Sequence, residues 1–148
     1  MEIIRNNKFV KNKYSLISSC KELDKKKFVL FDSKFWEENN ILLKKSNKKL
    51  GILFNSDESA QFIYNDYKYF NLIQINFLTF KDGRPFTIAK KLKNQSRYKN
   101  EIRASGYVLP DQYIFLLRCG FHSVEIKGSQ KITWKKIFED DPGLYYQK

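Results

Sequence analysis

The sequence has little of what redox and metal proteins use to hold their cofactors. It contains two cysteines, Cys20 and Cys119, and one histidine among 148 residues. The cysteines lie far apart and form no C-x-x-C pair, so the sequence spells out neither an iron-sulfur cluster nor a structural zinc site. It also lacks a G-x-G-x-x-G loop and a haem-attachment motif. We therefore predict a protein without a metal or cofactor of its own.

Long hydrophobic runs are also missing. No segment approaches the roughly 18 apolar residues that a membrane helix needs, and the first residues are too polar for a signal peptide. We therefore expect a cytoplasmic protein with no membrane partner, and no disulfide in that reducing compartment. With 42% hydrophobic and 16% aromatic residues, the chain can bury one substantial core. This predicts a single α/β domain over residues 1–148.

The charge is strongly positive, with 28 basic and 16 acidic residues and a formal net charge of +12. Such a charge is typical of proteins that bind nucleic acid or another polyanion. However, most of the basic residues are lysines, and an AT-rich genome raises the content of Lys, Asn and Ile by itself. There is no Arg-rich arm, helix-turn-helix signature or aromatic RNA-binding motif. Nucleic acid is therefore the partner that the sequence supports least.

Short apolar runs alternate with helical patterns along the chain. This alternation predicts a mainly parallel sheet with right-handed crossovers, built from successive βα units. We expect an architecture resembling part of a TIM barrel, and a flavodoxin-like open sheet is the alternative. The predicted strands are 28–31, 50–54, 72–77, 101–104 and 123–126. The predicted helices begin at Asp32-Ser33, Asn55-Ser56-Asp57, Pro85 and Pro110, and a last one carries Trp134, Ile137 and Phe138.

The two ends of the chain do not continue this alternation of strands and helices. Asn6-Asn7 lies between two short extended pieces, and asparagine tolerates a positive φ, so we predict a short hairpin within residues 1–15. Residues 140–148 resemble a helix stop followed by a tail.

Polar residues follow the predicted strands at the points where ligands collect in parallel α/β folds. Asp82-Gly83-Arg84 is either an anion-binding loop or a turn with a solvent-facing arginine. Arg103 lies within a strand, where it either faces a cleft or lies on an exposed edge. Asp111-Gln112 either caps its own helix or joins the arginines in one charged cleft. The candidate ligand-binding residues are Asn55, Asn76, Asp82, Gly83, Arg84, Arg103, Asp111 and Gln112, and no catalytic residue is assigned.

Several motifs of the C-terminal half occur together in one bacterial family. They are Asn76-Phe77, Phe80, Asp82-Gly83-Arg84, Glu101-Ile102-Arg103-Ala104 with Gly106, and Arg118-Cys119-Gly120-Phe121. With them, the stretch from Leu50 to Ile126 resembles the family called domain of unknown function 934. Three positions depart from the family pattern, since Leu78 replaces a frequent proline, His122 replaces a usual acid and Tyr107 replaces a more usual polar residue.

The resemblance also carries expectations about function. Members of the family are commonly labelled "oxidoreductase probably involved in sulfite reduction", which implies a link to sulfate assimilation and cysteine biosynthesis. Our leading hypothesis is an accessory or regulatory protein that binds a small anion or docks on sulfite reductase or another enzyme of sulfur assimilation. A second hypothesis is an enzyme that acts on a sulfated or phosphorylated metabolite without its own metal. A third is a basic nucleic-acid-binding protein.

Overall fold

The apolar runs of the sequence form the strands of one curled sheet. The computed structural model describes residues 2–140, with side chains as far as residue 136. The predicted tail at 140–148 therefore lies, apart from its first residue, outside the described residues. The strands are β1 (Glu2–Arg5), β2 (Lys8–Lys11), β3 (Ser15–Leu16), β4 (Phe28–Asp32), β5 (Lys49–Asn55), β6 (Leu72–Phe77), β7 (Glu101–Gly106) and β8 (Ser123–Ile126).

The strand order is β2-β1-β8-β7-β6-β5-β4-β3. Strands β3 to β8 run parallel and lie side by side in chain order. The hairpin of β1 and β2 adds to β8 in the antiparallel sense, and its turn residues Asn6 and Asn7 have φ values of 54° and 63°. Consecutive parallel strands in sequential order are the arrangement of a TIM barrel. The predicted partial-barrel architecture is thus confirmed, and the flavodoxin-like alternative is not adopted.

Five helices connect or follow the parallel strands. They are α1 (Ser33–Lys45), α2 (Gln61–Asp66), α3 (Arg84–Asn94), α4 (Tyr113–Cys119) and α5 (Lys131–Asp140), with short 3-10 turns at Cys20–Lys25, Tyr67–Tyr69, Pro110–Gln112 and Gly128–Gln130. Within the described part of the chain, no helix is long and apolar enough to cross a membrane.

The ends of the helices follow local chemistry in most cases. The Asp32 side chain accepts the Phe35 backbone N–H at 2.8 Å and so caps α1. Pro85 lies in the first turn of α3. Gly120 ends α4 with φ 111°, a left-handed conformation that glycine adopts without steric cost. The prediction that Asn55-Ser56-Asp57 caps α2 is wrong, because α2 begins only at Gln61 and has no side-chain cap.

The two faces of the sheet have opposite character. Alternate residues of each strand, such as Ile73, Ile75 and Phe77 of β6, point toward the helices and form the apolar core. The residues between them face the inside of the curl, where Gln74, Arg103 and Ser123 are buried although polar. The inner face of this half-barrel is therefore polar at its centre, although Ile3 and Leu72 are also buried on it.

A three-residue strap explains why the sheet curls. Strands β2 and β3 are the two outer strands, yet only Asn12, Lys13 and Tyr14 separate them in the chain. A flat sheet of eight strands would hold its outer strands roughly 34 Å apart, whereas the step from Lys11 to Ser15 spans at most about 14 Å. The sheet must therefore bend until its outer strands approach each other. The strap then passes over the polar inner face, where Asn12 Oδ1 accepts a hydrogen bond from Arg103 Nη1 at 3.2 Å.

Candidate functional site

The carboxyl ends of β5, β6 and β7 are joined by polar side chains. Asn76 Nδ2 donates to Asn55 Oδ1 at 2.9 Å, and Asn76 Oδ1 accepts from Ser105 Oγ at 3.3 Å. The next residue, Gly106, has φ +85°, and a Cβ there would lie 2.4 Å from both Asn76 Oδ1 and the Phe77 carbonyl oxygen. Glycine is therefore required at Gly106 by conformation and by space.

Asp82 and Arg84 form a rigid ion pair beside this polar row. Arg84 Nε donates to Asp82 Oδ1 at 2.9 Å and Nη2 donates to Oδ2 at 3.1 Å, which is the bidentate geometry. Ser56 Oγ donates a short hydrogen bond to the same carboxylate. The Asp82 side chain is only 2% exposed, whereas the Arg84 side chain is 56% exposed. A buried carboxylate thus holds an exposed guanidinium in one orientation.

The environment of Asp82 keeps it ionised. The hydrogen bond from Arg84 is the largest influence and lowers the pKa of Asp82 to about 2, helped by Ser56 and opposed by burial. Since the folded-state pKa lies below the ordinary 3.8, the pair stabilises the fold above about pH 4 and loses this contribution as the pH falls toward 2.

Asp82→Asn should test this contribution. We expect the variant to lower the free energy of unfolding by about 1–2 kcal/mol at pH 7, less than the full linkage value because solvent screens the exposed Arg84. At pH 2 the variant and the original chain should differ little. Urea unfolding at both pH values measures the difference, and an equal loss at pH 2 and pH 7 would contradict the ion-pair explanation.

The remaining residues of the two predicted loops have simpler roles. Gly83 has an ordinary φ of −91°, and open space surrounds the position of its missing Cβ, so the turn does not require glycine. Gln112 Oε1 accepts the Leu109 backbone N–H at 2.9 Å, which is the predicted capping role. Asp111 is exposed and makes no hydrogen bond or ion pair with Arg84 or Arg103 among the described residues.

Arg103 does not join Asp82 and Arg84, so the prediction of one charged cleft with both arginines is wrong. Its side chain is 4% exposed and pairs with Glu101 Oε2 at 3.2 Å. It also donates to Gln74 Oε1 at 3.3 Å and to Ser123 Oγ at 3.4 Å. The physical reason is that Arg103 belongs to the inward-facing set of β7, two residues before the polar row at Ser105. Asn55 and Asn76 therefore belong to the polar row, Asp82 and Arg84 to the ion pair, and Arg103 to a separate network on the inner face. Gly83, Asp111 and Gln112 belong to none of these groups.

We call Arg5, Gln74, Glu101, Arg103 and Ser123 the inner network. Its charges nearly cancel, and its polar side chains are hydrogen-bonded to one another. Burial by itself would raise the pKa of Glu101, but the hydrogen bond from Ser123 and the charges of Arg103 and Arg5 outweigh it and lower that pKa. Burial lowers the pKa of Arg103, while Glu101 acts in the opposite direction. Arg5 completes the arrangement with a 3.1 Å contact from Nη1 to Glu101 Oε1. These contacts connect the β1–β2 hairpin to the parallel strands, so the inner network has a structural role.

Exposed aromatic and apolar side chains lie around the Asp82–Arg84 pair. The Phe80 and Tyr107 rings meet edge to face with centroids 5.1 Å apart, although their residues are 46% and 54% exposed. Gln112 Nε2 reaches the Phe80 carbonyl at 3.5 Å, which brings the loop after β7 beside the loop after β6. We call Phe80, Tyr107, Leu109 and Phe115 the aromatic patch, since each of them is at least 39% exposed. This exposure is unusual for large apolar side chains that lie near one another.

Cys119 and His122 belong to residue types that often act in catalysis, but neither is activated in this fold. Cys119 is buried, and burial raises the pKa of its thiol, so it is mainly neutral. His122 is exposed, its Nδ1 accepts the Ile102 backbone N–H at 3.1 Å, and partial desolvation of the ring lowers the pKa of its imidazole. Among the described residues, no group of three His, Cys, Asp or Glu side chains could hold a metal ion.

A cavity of about 440 Å³ lies between α1 and α2, away from the Asp82–Arg84 pair. It is lined by Trp36, Phe62 and three carboxylates. Two of these are already engaged, since Glu58 Oε2 accepts the Asn55 N–H at 2.7 Å and Asp66 Oδ2 accepts Trp36 Nε1–H at 2.9 Å. The cavity therefore offers no free set of ligands.

Four hydrogen-bonding partners of the predicted residues were not predicted from the sequence. They are Ser56, Gln74, Glu101 and Ser123. A signal existed for two of them. Glu101 and Arg103 are two residues apart in a strand, which places both on one face, and Gln74 interrupts an otherwise apolar strand. For Ser56 and Ser123 no sequence signal distinguishes a buried partner from an ordinary turn serine.

Comparison with known proteins agrees with the motifs of the C-terminal half. The family model described as "Bacterial protein of unknown function (DUF934)" matches residues 51–148, about two thirds of the chain. No curated protein and no solved structure matches the chain. The matched region includes the polar row, the Asp82–Arg84 pair and the aromatic patch. The chain is thus a member of the DUF934 family of bacterial proteins.

Proposed function

We propose that this protein is an accessory or regulatory protein of assimilatory sulfite and sulfate reduction, which binds a small anion or docks on sulfite reductase. The observation that carries the proposal is the exposed guanidinium of Arg84, fixed by the buried carboxylate of Asp82. The label commonly given to the family supplies the link to sulfite reduction, and the geometry supports a binding role.

The fixed arginine is suited to grip an oxyanion. Two of its nitrogens, Nε and Nη2, are used by Asp82, and Nη1 makes no hydrogen bond within the described part of the chain. Because the side chain is already ordered, binding costs little further side-chain entropy. A carboxylate, sulfite or sulfate group could therefore accept hydrogen bonds from the Nη1 side. The start of α3 adds little to this, because the Arg84 backbone N–H already donates to Asp82 Oδ1 at 3.1 Å and Pro85 has no N–H.

The aromatic patch supports docking on a protein rather than binding of a free ion alone. Tyr, Phe and Arg are the residue types that contribute most to protein interfaces, especially where they are rigid and clustered. Here Phe80 and Tyr107 contact each other edge to face, and Phe115 packs on Phe86 with ring centroids 4.8 Å apart. An acidic side chain of a partner would bind Arg84 while apolar surface covers the patch.

The alternative of a metal-independent enzyme has weaker support. Such an enzyme would use Asp82, Arg84, Arg103 and Asp111 together, but Arg103 lies in the inner network. With its pKa lowered to about 2, Asp82 is ionised and a poor general acid at neutral pH. The geometry thus favours recognition over proton transfer at this site.

The experiment is a pull-down with the tagged full chain from cells grown on sulfate, followed by an assay of sulfite reductase in the eluate. A parallel measurement follows thermal stabilisation by sulfite, sulfate and a sulfonucleotide. Arg84→Ala should weaken whichever binding is found by about 10- to 100-fold, corresponding to one or two lost hydrogen bonds to a charged group.

Lys127→Ala is the control, because it removes another exposed cation from the same edge of the sheet without altering the Asp82–Arg84 pair. The control should bind like the original chain, and both variants should keep its circular dichroism spectrum. Absence of the reductase and of any anion-dependent stabilisation, or equal binding by the Arg84→Ala and Lys127→Ala variants, would refute the proposal.

A further inference from the structure

The positive charge of the chain is concentrated at the amino edge of the parallel sheet. Four segments lead into β4, β5, β6 and β7, namely 25–27, 44–49, 67–71 and 95–100. Because parallel strands begin at the same edge, these segments are neighbours, as the hydrogen bond from Lys49 N to Lys27 O at 2.9 Å illustrates. They contain no Asp or Glu, although Asp24 and Asp66 directly precede two of them and Glu101 directly follows another. Their basic residues are Lys25, Lys26, Lys27, Lys44, Lys45, Lys48, Lys49, Lys68, Arg97 and Lys99, which we call the basic edge.

The opposite edge has the reverse composition. The segments that leave the parallel strands carry Asp32, Asp57, Glu58, Asp82 and Asp111 and fewer basic residues. Genome bias toward lysine would raise the lysine content at both edges alike. A separation of charge along the strand direction is not explained by codon composition.

The cations of the basic edge are exposed and uncompensated. Every one of them except the half-buried Lys48 is exposed, and none forms a salt bridge with a described residue. Glu101, which also begins at this edge, is already neutralised by Arg5 and Arg103. Several of the ammonium groups are held close to one another. Lys44 and Lys68 lie 4.5 and 5.3 Å from the same Tyr69 ring, and Lys27 and Lys13 flank Phe28 at 5.8 and 5.9 Å.

We propose that the basic edge binds the phosphate backbone of a nucleic acid. Nine of its ten cations are lysines, whose ammonium is a compact charge that suits phosphates in any orientation, whereas carboxylate recognition favours the arginine fork. Its four segments contribute none of the exposed large apolar side chains of the molecule, which a protein interface would use. The binding is backbone-directed and independent of base sequence. It concerns a different surface from the proposed function and does not depend on it.

Binding of this kind has a defined salt dependence. The logarithm of the association constant falls linearly with the logarithm of the salt concentration. Each neutralised phosphate makes this slope more negative by about 0.9 for duplex DNA and by about 0.7 for a single strand. At physiological ionic strength the Debye length is about 8 Å. Strand β5 alone has seven residues, a length of about 23 Å. A charge change at the carboxyl edge is therefore screened from a ligand at the basic edge.

The test uses fluorescently labelled single- and double-stranded oligonucleotides of unrelated sequences and the full chain. Lys26→Glu with Lys48→Glu reverses two charges of the basic edge. Lys34→Glu with Lys127→Glu makes the same charge change at the carboxyl edge, where both lysines are exposed. We expect the first variant to bind at least about tenfold more weakly at 0.15 M salt, with a slope reduced by about 1 to 2. The second should stay within about twofold of the original chain.

Three results would overturn the assignment. The first is the absence of oligonucleotide binding at low salt. The second is an equal loss of affinity in both charge variants, which would show a response to net charge alone. The third is equally tight binding of polyglutamate, which would indicate an acidic protein in place of nucleic acid. Matching circular dichroism spectra and thermal midpoints of both variants exclude unfolding as the cause.

Discussion

Arg103→Ala should destabilise the fold by about 3–5 kcal/mol, the range typical when one partner of a buried ion pair is removed. The guanidinium makes contacts with Glu101, Gln74 and Ser123 on the inner face and with Asn12 of the strap. Its loss leaves Gln74 Oε1 without this donor and leaves the largely buried Glu101 carboxylate with only Arg5 and Ser123 as partners. It also removes the contact that ties the strap to the middle of the sheet. Chemical denaturation monitored by tryptophan fluorescence measures the change.

Arg97→Ala removes the same atoms from an exposed position and should change the free energy of unfolding by no more than about 0.5 kcal/mol. A second comparison separates charge from packing. Glu101→Gln combined with Arg103→Met should be less destabilised than Arg103→Ala, because neither charge remains buried without a partner. If Arg103→Ala costs no more than Arg97→Ala, the inner network does not contribute to stability.

Gly106→Ala should lower the free energy of unfolding by about 2–4 kcal/mol, because it combines a left-handed backbone with overlap of the new methyl group. The atoms that the methyl group would meet are Asn76 Oδ1 and the Phe77 carbonyl oxygen, both at 2.4 Å. One of them is backbone and cannot rotate away. The polar row at the ends of β6 and β7 should therefore be displaced, which a lowered thermal midpoint would report.

Gly83→Ala is the matched control on the same edge of the sheet. Gly83 has φ −91°, and nothing lies within 4 Å of the position where its Cβ would stand. The alanine should be neutral or stabilising by up to about 1 kcal/mol, since it restricts the unfolded chain. Equal effects of the two substitutions would contradict the stereochemical argument.

Much of the fold follows from the sequence because local and long-range preferences agree. The predicted strands 72–77 and 123–126 coincide with β6 and β8, since both are apolar runs bounded by polar residues. Pro85 and Gly120 mark one helix start and one helix end for local stereochemical reasons. The short strand β3 and the strap could not be predicted, because their conformation depends on the curl of the whole sheet.

The site was predicted where two residues are close in sequence or where they end adjacent parallel strands. Asp82 and Arg84 meet across one turn, and Asn55 and Asn76 end adjacent parallel strands. The position of Arg103 was wrong because its environment depends on the curl. In a flat sheet, that face would lie open to solvent as a cleft. In this sheet, the strap and the hairpin cover it.

The pairing of β1 with β8 also sets an order for biosynthesis. Ile4 pairs with Val124, so the earliest of the eight strands to leave the ribosome must wait for the latest before it finds its place in the sheet. Closing so long a loop is slow and entropically costly. Until then the nascent chain exposes the unpaired edge of β7, an edge at which partly made sheets associate with one another. Completion of the half-barrel is therefore a late event, reached only after the last strand has been synthesised.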